Sequence, residues 1–454
     1  MRDIAVVLFF LAFAAAALRR PYYGALLWVI FGLMNPHRLT YGFAFSLPFA
    51  QLAVIVTVLS MAMHYREVRR PQGVSMALML AFTGWMAITS AMSLVPEPTW
   101  TKYVDVLKVI GMTFVVAALV RTREEIMGLL VAMVASMGFF GTKGGLFTIA
   151  TGGNFRVWGP PSSLVEGNNE LAVALIMTIP LMYFLATHPT LARDFYPLRR
   201  IPERVLRWGF GLGALLCTAS AIGSQSRGAL LAIIAMGAML TWRSKSRFKI
   251  ASLILAAVVV ALPMLPETWW DRMSTIKTYE EDLSALQRIN AWETAINIAN
   301  DRFTGAGFTT AHPEVFDRYS PRPGREWIYV AHSIYFQVLG DHGYIGLLLF
   351  LGLGLSAYLS AGRTARLAKG HEDLAWAVAL MNMCKVSLVG FGAGGAFLSL
   401  AYWDMPYYVI VLVMATNLLV RQQVNQRVAR PEPAVGAMAQ ARPNAPGRSG
   451  RGAA

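Results

Sequence analysis

A few polar side chains interrupt long apolar runs, and their types suit anion binding and proton transfer. Arg227 lies in Ser224-Gln225-Ser226-Arg227-Gly228, a polar break in an otherwise continuous apolar stretch. A guanidinium so close to hydrocarbon is costly and functional by default. The flanking serines and glycine suit a tight anion-binding turn; the plain alternative is an arginine snorkelling to the headgroups. Arg288, in Gln287-Arg288-Ile289-Asn290-Ala291-Trp292, has Ala291 and Trp292 three and four residues on, so on a helix it borders an apolar stripe. An ordinary amphipathic-helix arginine fits as well. His332 stands where a long polar segment returns to an apolar run, in Ala331-His332-Ser333-Ile334-Tyr335. Imidazole is the usual side chain for taking a proton near neutral pH, though a hydrogen-bonded interface histidine is the more ordinary reading of a lone one. Arg156, in the turn-rich Gly152-Gly153-Asn154-Phe155-Arg156 stretch before Glu166-Gly167-Asn168-Asn169-Glu170, could contact a sugar or phosphate. A hairpin capped by Asn169 explains that segment too. His312, Asp341 and His342 make only a weak metal set. No Walker loop, HExxH or DxD occurs, and the turn around Ser226 has the wrong spacing for GxSxG.

The elements that must hold these residues belong to a membrane. The chain has 454 residues, 56% hydrophobic and 14% charged, against about 25% charged in soluble domains. The net charge of +15 falls in short clusters between apolar runs, the pattern of cytoplasmic loops, so nucleic acid is not the expected partner. Apolar runs lie near 4–18, 21–34, 43–63, 74–94, 104–120, 126–150, 170–187, 209–223, 228–242, 250–265, 343–360, 374–399 and 407–420. A spanning helix needs about 20 such residues, so the expected fold is all-α, a polytopic membrane protein of about 12–13 transmembrane helices. Basic loops (Arg19-Arg20; Arg66, Arg69, Arg70; Arg121, Arg123; Arg193 to Arg207; Arg243 to Lys249; Arg363 to Lys369) alternate with loops poor in Lys and Arg. The positive-inside rule places the basic set, and the C-terminus, in the cytoplasm. Cys217 and Cys384 sit in apolar runs and suggest neither a disulfide nor a metal site.

Four divisions follow: transmembrane helices over 1–265, a large outside loop subdomain over 266–332, C-terminal transmembrane helices over 333–420, and a disordered basic tail over 421–454. The loop carries Trp269-Trp270 and a helical stretch from Leu283 to Ala299, with Leu283, Leu286, Ile289, Trp292 and Ile296 as its apolar stripe. A structureless loop of this length would be unusual, so an ordered helical cap is expected.

The motifs resemble a known group. His332-Ser333-x-Tyr335-x-x-x-Leu339-Gly340-x-x-Gly343-x-x-Gly346 after a long outside loop resembles the O-antigen ligase and polymerase superfamily. Ser226-Arg227-Gly228 is similar to that group's membrane-edge arginine motif, and Arg288 with Trp292 and Gly305-Ala306-Gly307-Phe308 to its loop arginine. Met34-Asn35-Pro36-His37-Arg38-Leu39 and Asn168-Asn169-Glu170-Leu171-Ala172 resemble the branch described as O-glycosylation ligases.

The resemblance covers nearly the whole chain. It implies a membrane-embedded glycosyltransferase of the C type (GT-C) that moves a glycan from undecaprenyl pyrophosphate to a hydroxyl. The implied acceptor is lipid A–core oligosaccharide at the periplasmic face of a bacterial inner membrane, with no metal or other cofactor required. Arginine forks match phosphate oxygens and stay charged. Arg227 and Arg288 are therefore expected to clamp the pyrophosphate, with Arg156, Ser226 and Tyr335 as further substrate-binding positions and His332 as general base. Inversion at the anomeric carbon follows from direct attack. Polymerisation of O-units, or transfer to a protein hydroxyl, would use the same donor, clamp and base. A transporter of lipid-linked glycan would explain the helix count and Lys143, Lys385 and Asp404, but no internal repeat of the kind such proteins carry is visible.

Overall fold

The computed structural model describes residues 1–243, 248, 251, 252, 267, 270 and 283–429. The apolar run at 250–265, Trp269 and residues 430–454 of the expected tail lie outside the described residues, apart from 251 and 252. The described chain is helical and contains no strand, as an all-α membrane protein requires.

Its helices are α1 (Arg2–Arg19), α2 (Pro21–Met34), α3 (Phe49–Met63), α4 (Val74–Ala91), α5 (Pro96–Leu119), α6 (Arg123–Ala150), α7 (Asn168–Thr187), the single turn α8 (Pro189–Ala192), α9 (Glu203–Gly223) and α10 (Arg227–Arg243). After the undescribed stretch come α11 (Leu283–Asp301), α12 (Pro313–Tyr319), α13 (Ile334–Ala368), α14 (Ala375–Gly395) and α15 (Asp404–Ala429). Each expected apolar run outside the undescribed stretch lies on its own helix. Among the described residues, 7 helices are long and apolar enough to cross a bilayer: α4, α6, α7, α9, α13, α14 and α15. The helices α2, α3 and α10 are apolar but shorter. Glu97, Lys102, Asp105 and Lys108 crowd the first half of α5 and shorten its apolar part.

Apolar side chains occupy two environments. Most of α6 and α7 is buried inside the protein, whereas α9 and α13 expose most of their equally apolar surface. Leu212, Leu215, Leu348 and Leu355 all stand open. An apolar surface of that extent belongs against lipid. The inner helices touch through small residues: a Cβ on Gly145 would lie 2.1 Å from the Leu216 carbonyl oxygen, and Gly141 and Gly144 meet Cys217 and Ser220. Such glycines let α6 and α9 close to backbone contact, and this fixes where α9 ends.

Among the described residues, the basic loops around Arg20, Arg69, Arg121, Arg193 and Asp373 gather at one end of the bundle and contact one another. Arg20 pairs with Glu124 and Glu125, Arg123 with Asp194, Arg193 with Glu203, and Arg427 with Asp373. Arg121 donates to the carbonyls of Arg69 and Arg70. The helix α15 runs through Arg421 to Ala429, so the first part of the expected tail is helical.

At the other end the loop subdomain is pinned to α13 by an interlocking turn. Ala306 N donates to Gly340 O at 2.9 Å and Gly307 N to Asp341 O at 2.7 Å. Thr310 Oγ1 and Tyr402 Oη donate to the two carboxylate oxygens of Asp341, at 2.6 and 3.0 Å. Gly343, at φ 66° and ψ −171°, breaks α13 into two helical pieces. A Cβ there would lie 2.3 Å from Phe303 O, and one on Gly305 (φ 66°) would lie 2.7 Å from Gly340 O. Only glycine fits either place.

The helix α11 spans the expected stretch, but its buried face is not the expected stripe. Asn290, Ala291, Thr294, Ala295, Ile298 and Ala299 face inward, while Leu283 and Ile296 are exposed. Ala295 lies against Gly340. Close packing on a glycine selects small residues there, and Leu283 and Ile296 turn outward.

Candidate functional site

The end of α9 and the start of α10 form the first wall. Ser224 Oγ donates to Ala221 O at 2.7 Å. Gln225 takes φ 55°, and Ser226 Oγ accepts from Ala229 N at 3.2 Å, an N-cap. Arg227 is therefore the first residue of a helix whose free N–H groups and positive dipole end favour anions. The preceding polar segment is stitched to this turn. Asn168 Nδ2 donates to Ser224 O at 2.8 Å and Gln225 Nε2 to Gly153 O at 3.0 Å.

Arg288 comes from α11. Trp292, one helical turn on, donates its indole N–H to Ala331 O at 2.6 Å and stacks on Phe336 with ring centres 5.0 Å apart. On the other flank Asn290 binds Ser320 and Arg322, and Gln287 donates to Glu326 O. The helix carrying Arg288 is thus tied to the residue immediately before His332.

His332 precedes α13 in a left-handed conformation, φ 41°. For a side chain with a Cβ this is a sparsely populated state, and such residues gather at functional sites. Its ring lies 4.9 Å from that of Tyr329. Burial, and then the Arg288 guanidinium, lower its pKa to about 4. The imidazole is therefore neutral at neutral pH, the form that can accept a proton.

These groups meet unequally. Arg227 and Arg288 line one cleft with Asn169, Ser226, Gly228, Phe397 and Leu398. The cleft holds about 30 Å³, room for a water or two, so a larger anion must part the two side chains. His332 is not on its wall but lies within electrostatic reach of Arg288. Arg288 is the hub. Arg288 Nε, His332 Nδ1 and Ser333 Oγ are buried with no hydrogen-bond partner among the described residues. Buried polar atoms are rarely left so, and three close together mark a place for a ligand.

Two expected residues stand elsewhere. Tyr335 donates its hydroxyl to Gly392 O at 2.8 Å, and its ring lines an apolar cavity with Tyr358 and Phe391. Arg156 is exposed and lines no part of the cleft. Asp341, one member of the weak metal set, has both carboxylate oxygens engaged by hydroxyls. Among the described residues no group of three or more His, Cys, Asp or Glu is placed to hold a metal.

Glu170 and Tyr329 escaped the sequence reading as site residues. Glu170, in the first turn of α7, interacts electrostatically with Arg288 and partly offsets its charge. Its position within the Asn168-Asn169-Glu170 motif was the available signal. Tyr329 sits in no motif.

Comparison with known proteins divides the chain in two. Residues 1–190 match the model of a family of unknown function, DUF5935. No curated protein matches the chain significantly. Residues 212–351 match the family model described as O-antigen ligase, a segment that contains Arg227, Arg288, Gly305 to Phe308, His332 and Gly343. On that match, which takes in about a third of the chain, residues 212–351 are similar to the O-antigen ligase family.

Proposed function

We propose that the chain is an O-antigen ligase. It takes a glycan from undecaprenyl pyrophosphate and joins it to a sugar hydroxyl of lipid A–core oligosaccharide, at the periplasmic face of a bacterial inner membrane. The observation that carries this reading is the meeting of Arg227 and Arg288, from two separate helices, in one cleft, with His332 beside Arg288. The basic loops at the opposite end agree with a cytoplasmic face there. The substrate end is then periplasmic, and α15 ends on the cytoplasmic side.

The acceptor hydroxyl oxygen attacks the anomeric carbon and its proton passes to the neutral His332 imidazole. The bond from that carbon to the pyrophosphate oxygen breaks, and its electron pair leaves with the lipid pyrophosphate. Charge grows on those oxygens, and Arg227 and Arg288 are placed to meet it; each such prepositioned donor is worth about 10²–10³ in rate. Before donor arrives, Arg288 opposes an imidazolium at His332. A bound diphosphate cancels that positive field, so the base strengthens when donor is present. Attack opposite the leaving group inverts the centre. Clamp and base together supply the chemistry of this step from the chain's own side chains, in line with a metal-independent transfer.

The test is transfer in detergent by purified protein, from undecaprenyl-pyrophosphate glycan to lipid A–core. Wild type should form the ligated product, and His332→Ala should lose it by about 10²–10⁴-fold while still binding donor. Product made only by lengthening lipid-linked glycan would indicate a polymerase. Glycan found only on protein would indicate a protein ligase. No transfer by wild type in either direction would remove the enzymatic reading and leave a transporter.

A further inference from the structure

We propose that the end of the bundle opposite the Arg227–Arg288 cleft carries a second anion site, one that takes a phosphate group. The two ends are far apart. The helix α6 begins at this second site with Arg123 and ends at Ala150, beside the segment whose Gly153 carbonyl holds Gln225. Its 28 residues span about 42 Å at 1.5 Å each. The proposal is independent of the transfer reaction.

The site is a pocket of about 810 Å³ between the ends of α2, α5, α6, α14 and α15 and the loop after α3. Its charged lining residues are Arg66, Glu67, Arg69, Arg121, Arg123, Glu125 and Asp373. Several are already matched: Glu125 takes Arg20 and the backbone N–H groups of Arg121 and Thr122, Arg123 pairs with Asp194, and Asp373 with Arg427. Arg66, Arg69 and Arg121 line the pocket together with Glu67 and make no ion pair among the described residues.

Arg121 is the most constrained of them. It is half-buried, and its guanidinium is oriented by backbone carbonyls alone: Arg69 at 2.8 Å, Arg70 at 3.2 Å and Ala118 at 3.4 Å. Burial first, and then the charge of Arg69, depress its pKa, against a smaller opposing pull from Glu125. Two like charges held together at a partly desolvated wall lower their energy when an anion comes between them. Arginine forks match phosphate oxygens. Trp376 and the amides of Gln422, Gln423 and Gln426 complete the wall with apolar surface and neutral donors. Basic pockets between helices at a membrane surface take phospholipid head groups. The ligand class is therefore a phosphate-bearing anion, supplied either by an anionic glycerophospholipid or by inorganic phosphate.

Arg66 reaches only the neighbouring Tyr65, and Arg69 makes no side-chain hydrogen bond or ion pair among the described residues. An Arg66→Ala, Arg69→Ala double variant should therefore fold, and an unchanged Tm would show it. The full-length protein is titrated with phosphatidylglycerol in phosphatidylcholine nanodiscs, and separately in detergent with inorganic phosphate. Lipid bound per protein is read by native mass spectrometry, and stabilisation by Tm. Preferential retention of phosphatidylglycerol by wild type, weakened about fivefold for each arginine removed, would establish the lipid source. A Tm rise with phosphate alone, absent in the double variant, would establish the soluble source. An Arg199→Ala, Arg200→Ala control at the same end should behave as wild type. Equal responses from wild type and the Arg66/Arg69 variant, or an equal loss in the Arg199/Arg200 control, would overturn the site.

Discussion

Two neighbouring regions carry the motifs that resemble the O-antigen ligase family, and they use their polar groups in opposite ways. In the turn that docks Gly305-Ala306-Gly307 onto α13, nearly every polar group is answered by protein. Backbone N–H groups meet carbonyls, Asp341 has two hydroxyl donors, and His342 Nδ1 meets Thr89; His342 Nε2 is the exception. In and beside the cleft, Arg288 Nε on its wall and His332 Nδ1 and Ser333 Oγ off it have no partner among the described residues, and Gln225 and His332 hold left-handed backbones without being glycine. The first region takes its left-handed backbone at Gly305, Gly307 and Gly343, with Phe308 (φ 65°) the one non-glycine among them; the second takes it at Gln225 and His332. A recurring motif does not by itself separate scaffold from site. The satisfaction of its buried polar atoms does.

The sharpest way to break this contrast is a pair of substitutions. His332→Ala should lower transfer by about 10²–10⁴-fold and leave Tm near wild type. Asp341→Ala should do the reverse. It strands the Thr310 and Tyr402 hydroxyls, which costs about 1–3 kcal/mol, and thermal unfolding should record that loss while transfer per folded molecule persists. A folded Asp341→Ala protein without transfer would move Asp341 from the scaffold to the site.

The pH profile sharpens the contrast further. Burial and Arg288 hold His332 at about 4, below the ordinary 6.5. The acid-side fall of kcat/KM should therefore lie well below pH 6.5, and Arg288→Ala should move what activity remains toward the ordinary value. The same lowered pKa makes the unfolded chain bind the extra proton first. The stability contribution of the neutral ring is complete above about 6.5 and is lost as pH falls toward about 4. An acid limb at 6.5 or above in wild type would contradict the placement of His332 beside Arg288.

The smallest effect concerns Tyr335. Its hydroxyl is engaged by Gly392, so Tyr335→Phe should cost about 0.5–1.5 kcal/mol of stability and leave donor affinity unchanged. Weakened donor binding in that variant would return Tyr335 to the substrate side.

The helices were legible because hydrocarbon demands long apolar runs, and each run outside the undescribed stretch became a helix. Arg227 was legible because a charge at a membrane edge stands out against its surroundings. The rest depended on partners distant in sequence. The hydroxyl of Tyr335 is taken by a carbonyl on α14, and nothing local to Tyr335 announces that. The large apolar residues of α11 suggested its buried face, yet packing on Gly340 selected Ala291, Ala295 and Ala299 instead. Only in three dimensions does it show that a Cβ on Gly305 would strike the backbone of Gly340 and Gly343, and one on Gly343 that of Phe303. Glu170 reaches Arg288 from a different helix, and its charge was unremarkable in sequence.

The central claim is that Arg227 and Arg288 hold one diphosphate. It is tested most directly by the Kd of purified protein for undecaprenyl pyrophosphate, with Asp341→Ala as the control. Charge-assisted hydrogen bonds contribute about 1.5–3 kcal/mol, so Arg227→Ala and Arg288→Ala should each weaken binding about ten- to hundredfold, with Lys restoring little and the Asp341→Ala Kd unchanged. A wild-type Kd in either arginine variant would contradict the account.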